Sequence, residues 1–219
     1  MLKAILFDLD GTLIDSEHFY FDCWNEILAE WGAALTFDDW VDNYAGTTLR
    51  VNAKKLSDKY GITMPLDELI DRREQLTIQR FKSTDVALMP YALELIEFFA
   101  AKGLTMAIAT SSLRKDVEAI FERNGLAHYF KLIITRSDIT NGKPHPESYL
   151  TCCEQLGFAK NECIVFEDTI NGLTAAKAAG LTCYAVQSNT IEHHKLQAAD
   201  KIFLNLKEAK DYLIASKQL

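Results

Sequence analysis

The sequence predicts an α/β fold, a doubly wound parallel sheet with an all-helical domain inserted after its first strand. Three observations carry that expectation. Short, continuous apolar runs recur along the chain and end in polar residues, the pattern of strands buried on both faces. Stretches of helical periodicity lie between the runs, and strand–helix alternation implies right-handed crossovers and a parallel sheet. Each of these helical stretches ends at a glycine, the residue that most readily takes the left-handed conformation closing a helix. The expected core is therefore Rossmann-like.

The first strand is expected at Ala4–Phe7 and runs into Asp8. The second, Thr105–Ala109, ends in Thr110-Ser111-Ser112. The third, Leu132–Ile134, ends in Thr135-Arg136-Ser137-Asp138, and the fourth, Cys163–Phe166, in Glu167-Asp168. Two weaker runs, Cys183–Val186 and Ile202–Leu204, complete the sheet, with a C-terminal helix after them. Helices are expected at Ala92–Lys102, Leu113–Asn124, Pro146–Leu156 and Thr169–Ala179, stopped by Gly103, Gly125, Gly157 and Gly180. From Ser16 to Lys82 the rhythm changes. No apolar strand run appears, and Phe19, Cys23, Ile27, Leu28, Leu56, Leu69, Ile70 and Leu76 recur at helical spacing. The division expected is residues 1–15 with 83–219 as the sheet domain and 16–82 as the helical one, joined near Leu13–Asp15 and Ser83–Leu88.

Composition excludes several classes. With 219 residues, 48% hydrophobic and 25% charged, the chain is neither disordered nor of low complexity. Its 23 Lys and Arg against 31 Asp and Glu give a net charge of −8, a poor basis for holding nucleic acid. No apolar run approaches the ~18 residues needed to span a membrane, and none at the start has the form of a signal peptide. Five cysteines at irregular spacing, without a C-x-x-C pair, read as reduced, buried thiols of a cytoplasmic protein. Nothing demands more than a monomer.

In an open parallel sheet, ligands bind beyond the carboxyl ends of the strands. There the first strand delivers Asp8 and Asp10, which share a side if the extended geometry persists, followed by Gly11 where the backbone can turn sharply. The second delivers hydroxyls at a helix start, a seat for an anion. The fourth delivers Glu167 and Asp168, and the loop after the third carries Lys143, with Pro144 disfavouring helical geometry at the lysine. Carboxylates so gathered repel one another unless a divalent cation joins them, and oxygen-only donors favour Mg²⁺. Hydroxyls, a helix start and a lysine suit phosphate oxygens. A phosphoryl group would then sit beside one carboxylate able to attack it and a second able to move a proton. G-x-G-x-x-G is absent, and Gly142-Lys143 lacks the Ser/Thr of a P-loop.

The run D-L-D-G-T-L at Asp8–Leu13 resembles the first motif of the haloacid dehalogenase superfamily. Thr110-Ser111, Gly142-Lys143-Pro144-x-Pro146, and Glu167-Asp168 with T-x-x-G-x-x-A-A-x-A-A-G follow in the superfamily's order, spanning nearly the whole chain. The helical insertion looks like a C1-type cap, which resembles the branch of small-sugar phosphatases, phosphoglycolate phosphatase and β-phosphoglucomutase. The resemblance implies Asp8 as nucleophile forming an aspartyl-phosphate, and Asp10 as general acid/base with its main-chain carbonyl on Mg²⁺. It implies Asp168 as a metal ligand supported by Glu167, and Thr110, Ser111 and Lys143 as phosphoryl-binding groups. Cap contacts to substrate would come from Gly46, Thr47, Thr48 and Arg50, with Arg72 and Arg73 as further candidates. Mutases of the family carry a histidine and an arginine where this chain has Tyr20 and Leu49, and Asp15-Ser16-Glu17 looks like the phosphatase form. The function expected is Mg²⁺-dependent hydrolysis of a small phosphorylated metabolite, a sugar phosphate. The alternatives are a hexose-phosphate mutase and a phosphate-responsive module without turnover.

Overall fold

A computed structural model describes residues 2–45, 47–84 and 86–216. The chain divides into two compact units, Met1–Asp15 with Ala87–Leu219 and Ser16–Val86. The second unit ends at Val86, a few residues past its last helix, which runs to Ser83.

The first unit is built on Ala4–Phe7 (β1), Thr105–Ala109 (β2), Phe130–Ile134 (β3), Cys163–Glu167 (β4), Thr182–Val186 (β5) and Lys201–Phe203 (β6). Among the described residues these form one six-stranded sheet in the order β3-β2-β1-β4-β5-β6, every pairing parallel. The order reverses at β1, so β1 and its neighbours β2 and β4 frame the switch point where α/β sheets bind ligands.

Alternation along the strands sorts the core into two faces. Ala4 and Leu6 of β1, Ala107 and Ala109 of β2, and Cys163 and Val165 of β4 share one cluster. That cluster includes Tyr149, Cys152 and Cys153 of Glu147–Leu156 (α7), and Leu173, Ala175 and Ala176 of Ile170–Ala178 (α8). The small side chains let both helices lie close to the sheet. On the other face Phe7 stacks on Phe166 with ring centroids 5.3 Å apart and meets Phe99 of Ala92–Ala101 (α5) at 6.1 Å. Two residues further along the first face, Leu6 is followed by Asp8 and Val165 by Glu167. The parity that buries the α7/α8 core thus carries the two carboxylates onto the same side.

Arg114–Asn124 (α6) and Leu206–Ala215 (α9) complete the first unit. The expected glycine stops hold: Gly125 and Gly157 cap α6 and α7 in the left-handed region, and Gly103 and Gly180 take it one residue after the caps of α5 and α8. Where the chain leaves and rejoins the sheet unit, two strands of backbone run side by side. Asp15 N donates to Ala87 O (2.8 Å) and Met89 N to Leu13 O (2.9 Å).

The second unit is all-helical among its described residues: Ser16–Ala29 (α1), Phe37–Asn43 (α2), Leu49–Tyr60 (α3) and Leu66–Ser83 (α4). Trp24, Ile27, Leu28, Trp40, Leu56 and Leu69 form its own core. Tyr20, Trp31 and Phe37 pack against that core. Among the described residues no helix is long and apolar enough to cross a membrane, and all five cysteines are buried free thiols.

Candidate active site

Past Phe7 the backbone of β1 turns. Asp8 N still pairs with Phe166 O at 2.9 Å, but Leu13 N and Ile14 N both donate to Leu9 O, at 2.9 and 3.1 Å. The turn therefore begins at Leu9, and Asp10 remains near enough to Asp8 for its charge to raise the Asp8 carboxyl. Asp10 Oδ2 accepts from Ser112 Oγ (2.6 Å) and Thr110 Oγ1 (3.2 Å) in the turn after β2. Asp10 Oδ1 is buried without a hydrogen-bond partner. Thr110 also accepts from Ser112 N at 3.0 Å, so its single hydroxyl proton is directed at Asp10. Ser111 lies exposed in the same turn.

Lys143 joins the remaining carboxylates. Its Nζ donates to Asp8 Oδ1 and to Glu167 Oε1, each at 2.5 Å, and its side chain is 5% exposed. The loop that delivers it is pinned by Glu147 at the start of α7, which accepts from Thr140 N (2.7 Å) and Asn141 N (2.9 Å). Glu167, expected just beyond β4, is its last residue and fully buried. Its Oε1 also accepts from Tyr149 Oη at 2.7 Å, and its Oε2 from Asp168 N, Thr169 N and Thr169 Oγ1 at 3.2–3.4 Å. Asp168 is held by Thr12 Oγ1 at 3.1 Å, and Gln187 Nε2 reaches its main-chain carbonyl at 3.5 Å.

Two glycines make room for this packing. Gly11 has φ +79°, and a Cβ there would lie 2.3 Å from Asp168 Oδ2. Gly172, in the first turn of α8, would place a Cβ 1.7 Å from Glu167 Oε1.

The electrostatics follow from burial. Desolvation pushes Asp8 well above the usual carboxylate range. Lys143 opposes the shift, while Glu167 and Asp10 add to it. Asp168 is raised likewise, by burial first and then by Asp8 and Glu167. Burial works against the charge on Lys143, but Asp8 and Glu167 outweigh it and hold the ammonium more basic than an ordinary lysine. One oxygen from each of Asp8, Glu167 and Asp168 lies within 4.8 Å of the others. Asp8 and Glu167, both buried, and the half-buried Asp168 set three carboxylates against one ammonium, which leaves negative charge without a partner. The all-oxygen donor set and the space kept at Gly11 suit a small, hard divalent cation.

A family profile described as haloacid dehalogenase-like hydrolase matches residues 5–186. The chain belongs to that family. This hydrolase is 30% identical over 180 residues to the phosphorylated carbohydrates phosphatase of Thermotoga maritima, covering 82% of each chain. It is 25% identical over 184 residues to the fructose-1-phosphate phosphatase YqaB of Escherichia coli, covering 84% of this chain and 96% of that one. The crystal structure of a Thermotoga maritima protein provisionally described as a β-phosphoglucomutase superposes with a TM-score of 0.84 at 28% identity, covering 98% and 99% of the two chains. The hydrolase is an enzyme of the phosphoric monoester hydrolase class, as its named phosphatase relatives are.

The structure thus brings Asp8, Glu167, Asp168 and Lys143 into one cluster and sets Asp10 with Thr110 and Ser112 beside it. Reading the sequence for site residues passed over Thr12, Tyr149 and Gly172. The signal for Thr12 was its place in D-L-D-G-T, four residues after Asp8. Tyr149 offered none beyond lying six residues after Lys143.

The candidates in the helical unit are differently placed. Gly46 lies outside the described residues. The Thr47 hydroxyl rests against Tyr44 O (2.8 Å) and Asn52 Oδ1, within its own loop. Thr48 is the residue preceding α3, with no side-chain cap. Arg50 pairs with Asp67 at 2.8 Å and Arg72 with Glu30 at 2.5 Å, all exposed. Arg73 is buried, its guanidinium 4.6 Å from the Tyr20 ring centroid.

Proposed function

We propose that this phosphoric monoester hydrolase is a Mg²⁺-dependent phosphatase of small phosphorylated metabolites, sugar phosphates foremost, acting through an aspartyl-phosphate on Asp8. The observation that carries the reading is the Lys143 ammonium held 2.5 Å from the buried Asp8, with a second carboxylate, Asp10, fixed nearby by two hydroxyls. The relatives named as phosphatases of phosphorylated carbohydrates and of fructose 1-phosphate support the substrate class.

In this reading Asp8 attacks phosphorus and the bond to the leaving alcohol breaks. Asp10 gives that oxygen its proton, then takes one from the water that hydrolyses the aspartyl-phosphate. Its Oδ2 is occupied by Thr110 and Ser112, so Oδ1 is the oxygen left to carry the proton. Lys143 offsets the charge of the phosphoryl oxygens. Asp8 and Asp168 would hold the cation, with the Asp10 main-chain carbonyl as the family resemblance implies. Glu167, whose oxygens serve Lys143, Tyr149 and the Asp168–Thr169 turn, would support it at one remove. Bound Mg²⁺ supplies charge neutralisation and a fixed orientation of the phosphoryl group.

Hydrolysis is favoured over mutase chemistry by what stands at two positions. Tyr20 and Leu49 replace the histidine and arginine of the family's mutases, and both pack against the core of the helical unit. Arg50, the neighbouring cation, pairs with Asp67 at the surface. Purified protein is therefore expected to release phosphate from an aryl phosphate and from hexose monophosphates when Mg²⁺ is present, and to stop in excess chelator. It is expected not to interconvert hexose 1- and 6-phosphates when primed with hexose bisphosphate. Isomerisation outrunning phosphate release would establish the mutase instead.

The cation should also show in stability. Asp8 and Asp168 are raised in the folded state, so above the usual carboxylate range the folded chain binds more protons than the unfolded one. Stability without metal then falls as pH rises from that range toward the raised values. Mg²⁺ must displace those protons, so its stabilisation grows across the same window. The rise in Tm on adding Mg²⁺ is expected to be larger at pH 7.5 than at pH 5. An equal rise at both would count against cation binding at these carboxylates.

A further inference from the structure

We propose that Tyr149 is a positioning residue for Lys143, setting how the ammonium is shared between Glu167 and the phosphoryl site; this rests on the phosphatase reading above. The Tyr149 side chain is wholly buried in the core between the sheet and α7, and it touches both partners of the lysine's ion pair. Its hydroxyl donates to Glu167 Oε1 at 2.7 Å, the same oxygen that accepts from Lys143 Nζ at 2.5 Å. Its ring face lies under the ammonium, with Nζ 4.9 Å from the centroid.

Each contact does separate work. A carboxylate oxygen that faces an ammonium alone in a desolvated core draws it in strongly. A second donor on that oxygen carries part of its charge, and hydrogen bonds to charged groups are the stronger kind. With the Tyr149 hydroxyl in place, Lys143 need not spend its charge on Glu167 and can lie equally close to Asp8 Oδ1. The ring closes another side of the ammonium with an attractive face and stops it from swinging toward α7. The lysine's remaining hydrogen-bonding direction is then left for an incoming phosphoryl oxygen. Without the hydroxyl, Lys143 settles toward Glu167 and answers phosphate more weakly.

The test compares the wild type with Tyr149→Phe and Tyr149→Leu in Mg²⁺, measuring aryl phosphate KM and kcat, the inhibition constant of orthovanadate, and Tm. Tyr149→Phe keeps the ring and loses only the donor. It is expected to raise KM and the vanadate constant together by roughly tenfold, the scale of one hydrogen bond to a charged group, with a smaller fall in kcat. Tyr149→Leu, losing ring and donor, is expected to go further. Vanadate binding measured directly in a Lys143→Met background is expected to be unmoved by Tyr149→Phe, because the lysine through which it acts is gone. A Tyr149→Phe protein with lowered Tm but unchanged KM and vanadate constant would overturn the proposal, leaving Tyr149 a packing residue. So would equal losses from Tyr149→Phe with and without Lys143. If the wild type neither turns over aryl phosphate nor binds vanadate, the phosphatase reading itself falls, and this inference with it.

Discussion

Asp8→Asn is expected to abolish phosphate release, by roughly 10³-fold or more, the scale of deleting a central catalytic group. An amide oxygen is a poor nucleophile toward phosphorus and a weaker ligand for a hard cation. The same change removes one of the two carboxylates that Lys143 bridges at 2.5 Å. Its effect on stability should run the other way. Asp8 is buried, and its charged form is disfavoured by desolvation and by Glu167 and Asp10 more than Lys143 favours it. Replacing it with a neutral group of the same shape relieves that repulsion, while Glu167 still pairs with the ammonium. Without metal at pH 7.5, the variant's Tm is therefore expected to equal or exceed that of the wild type. Lost turnover with a retained or raised Tm separates a chemical role from a structural one. Near-normal turnover would remove Asp8 as nucleophile, and a collapsed Tm would show that its charge holds the core together.

The sheet was legible because its strands are buried on both faces, so each reads as an unbroken apolar run, and because glycine closes the helices between them. Strand ends were less so. Glu167 reads in sequence as the start of a polar turn, yet it is the last, fully buried residue of β4. Nothing local announces that a carboxylate will be satisfied by a lysine 24 residues earlier and a tyrosine 18 residues earlier. The D-L-D-G-T motif named Asp8 and Asp10 but not their partners: Asp10 is answered by the Thr110 and Ser112 hydroxyls, 100 and 102 residues further on. In the helical unit Arg50 and Arg72 pair at the surface with Asp67 and Glu30, acids far from them in sequence that no spacing rule connects.

Gly172→Ala is expected to cost both stability and activity, against the ordinary trend. Inside a helix, alanine is normally worth about 1 kcal/mol over glycine. Here the added Cβ would lie 1.7 Å from Glu167 Oε1 and 1.8 Å from Glu167 Cδ, distances that no pair of unbonded atoms tolerates. A free carboxylate would swing aside at small cost, but this one is pinned on every side. Lys143 and Tyr149 hold Oε1, while Thr169 and the Asp168 amide hold Oε2. The helix cannot retreat easily either, since Gly172 N bonds Thr169 Oγ1 at 3.2 Å and Leu173, Ala175 and Ala176 are packed into the sheet. Relief must come from moving Glu167 and so disturbing its ion pair with Lys143. Overpacking alone costs about 1–3 kcal/mol, and a disrupted buried ion pair adds to that, up to about 3–5 kcal/mol when one partner is lost. A net loss of about 3 kcal/mol in urea unfolding is expected, with turnover down roughly a hundredfold, as for other displacements of about 1 Å in catalytic groups. The double variant Glu167→Ala/Gly172→Ala distinguishes the cause. With the carboxylate gone, the alanine at 172 has room and regains its helical advantage, so the double variant should be no less stable than Glu167→Ala alone, while remaining inactive. A Gly172→Ala protein as stable and active as the wild type would show that Glu167 is free to move, and that Lys143 is positioned without it.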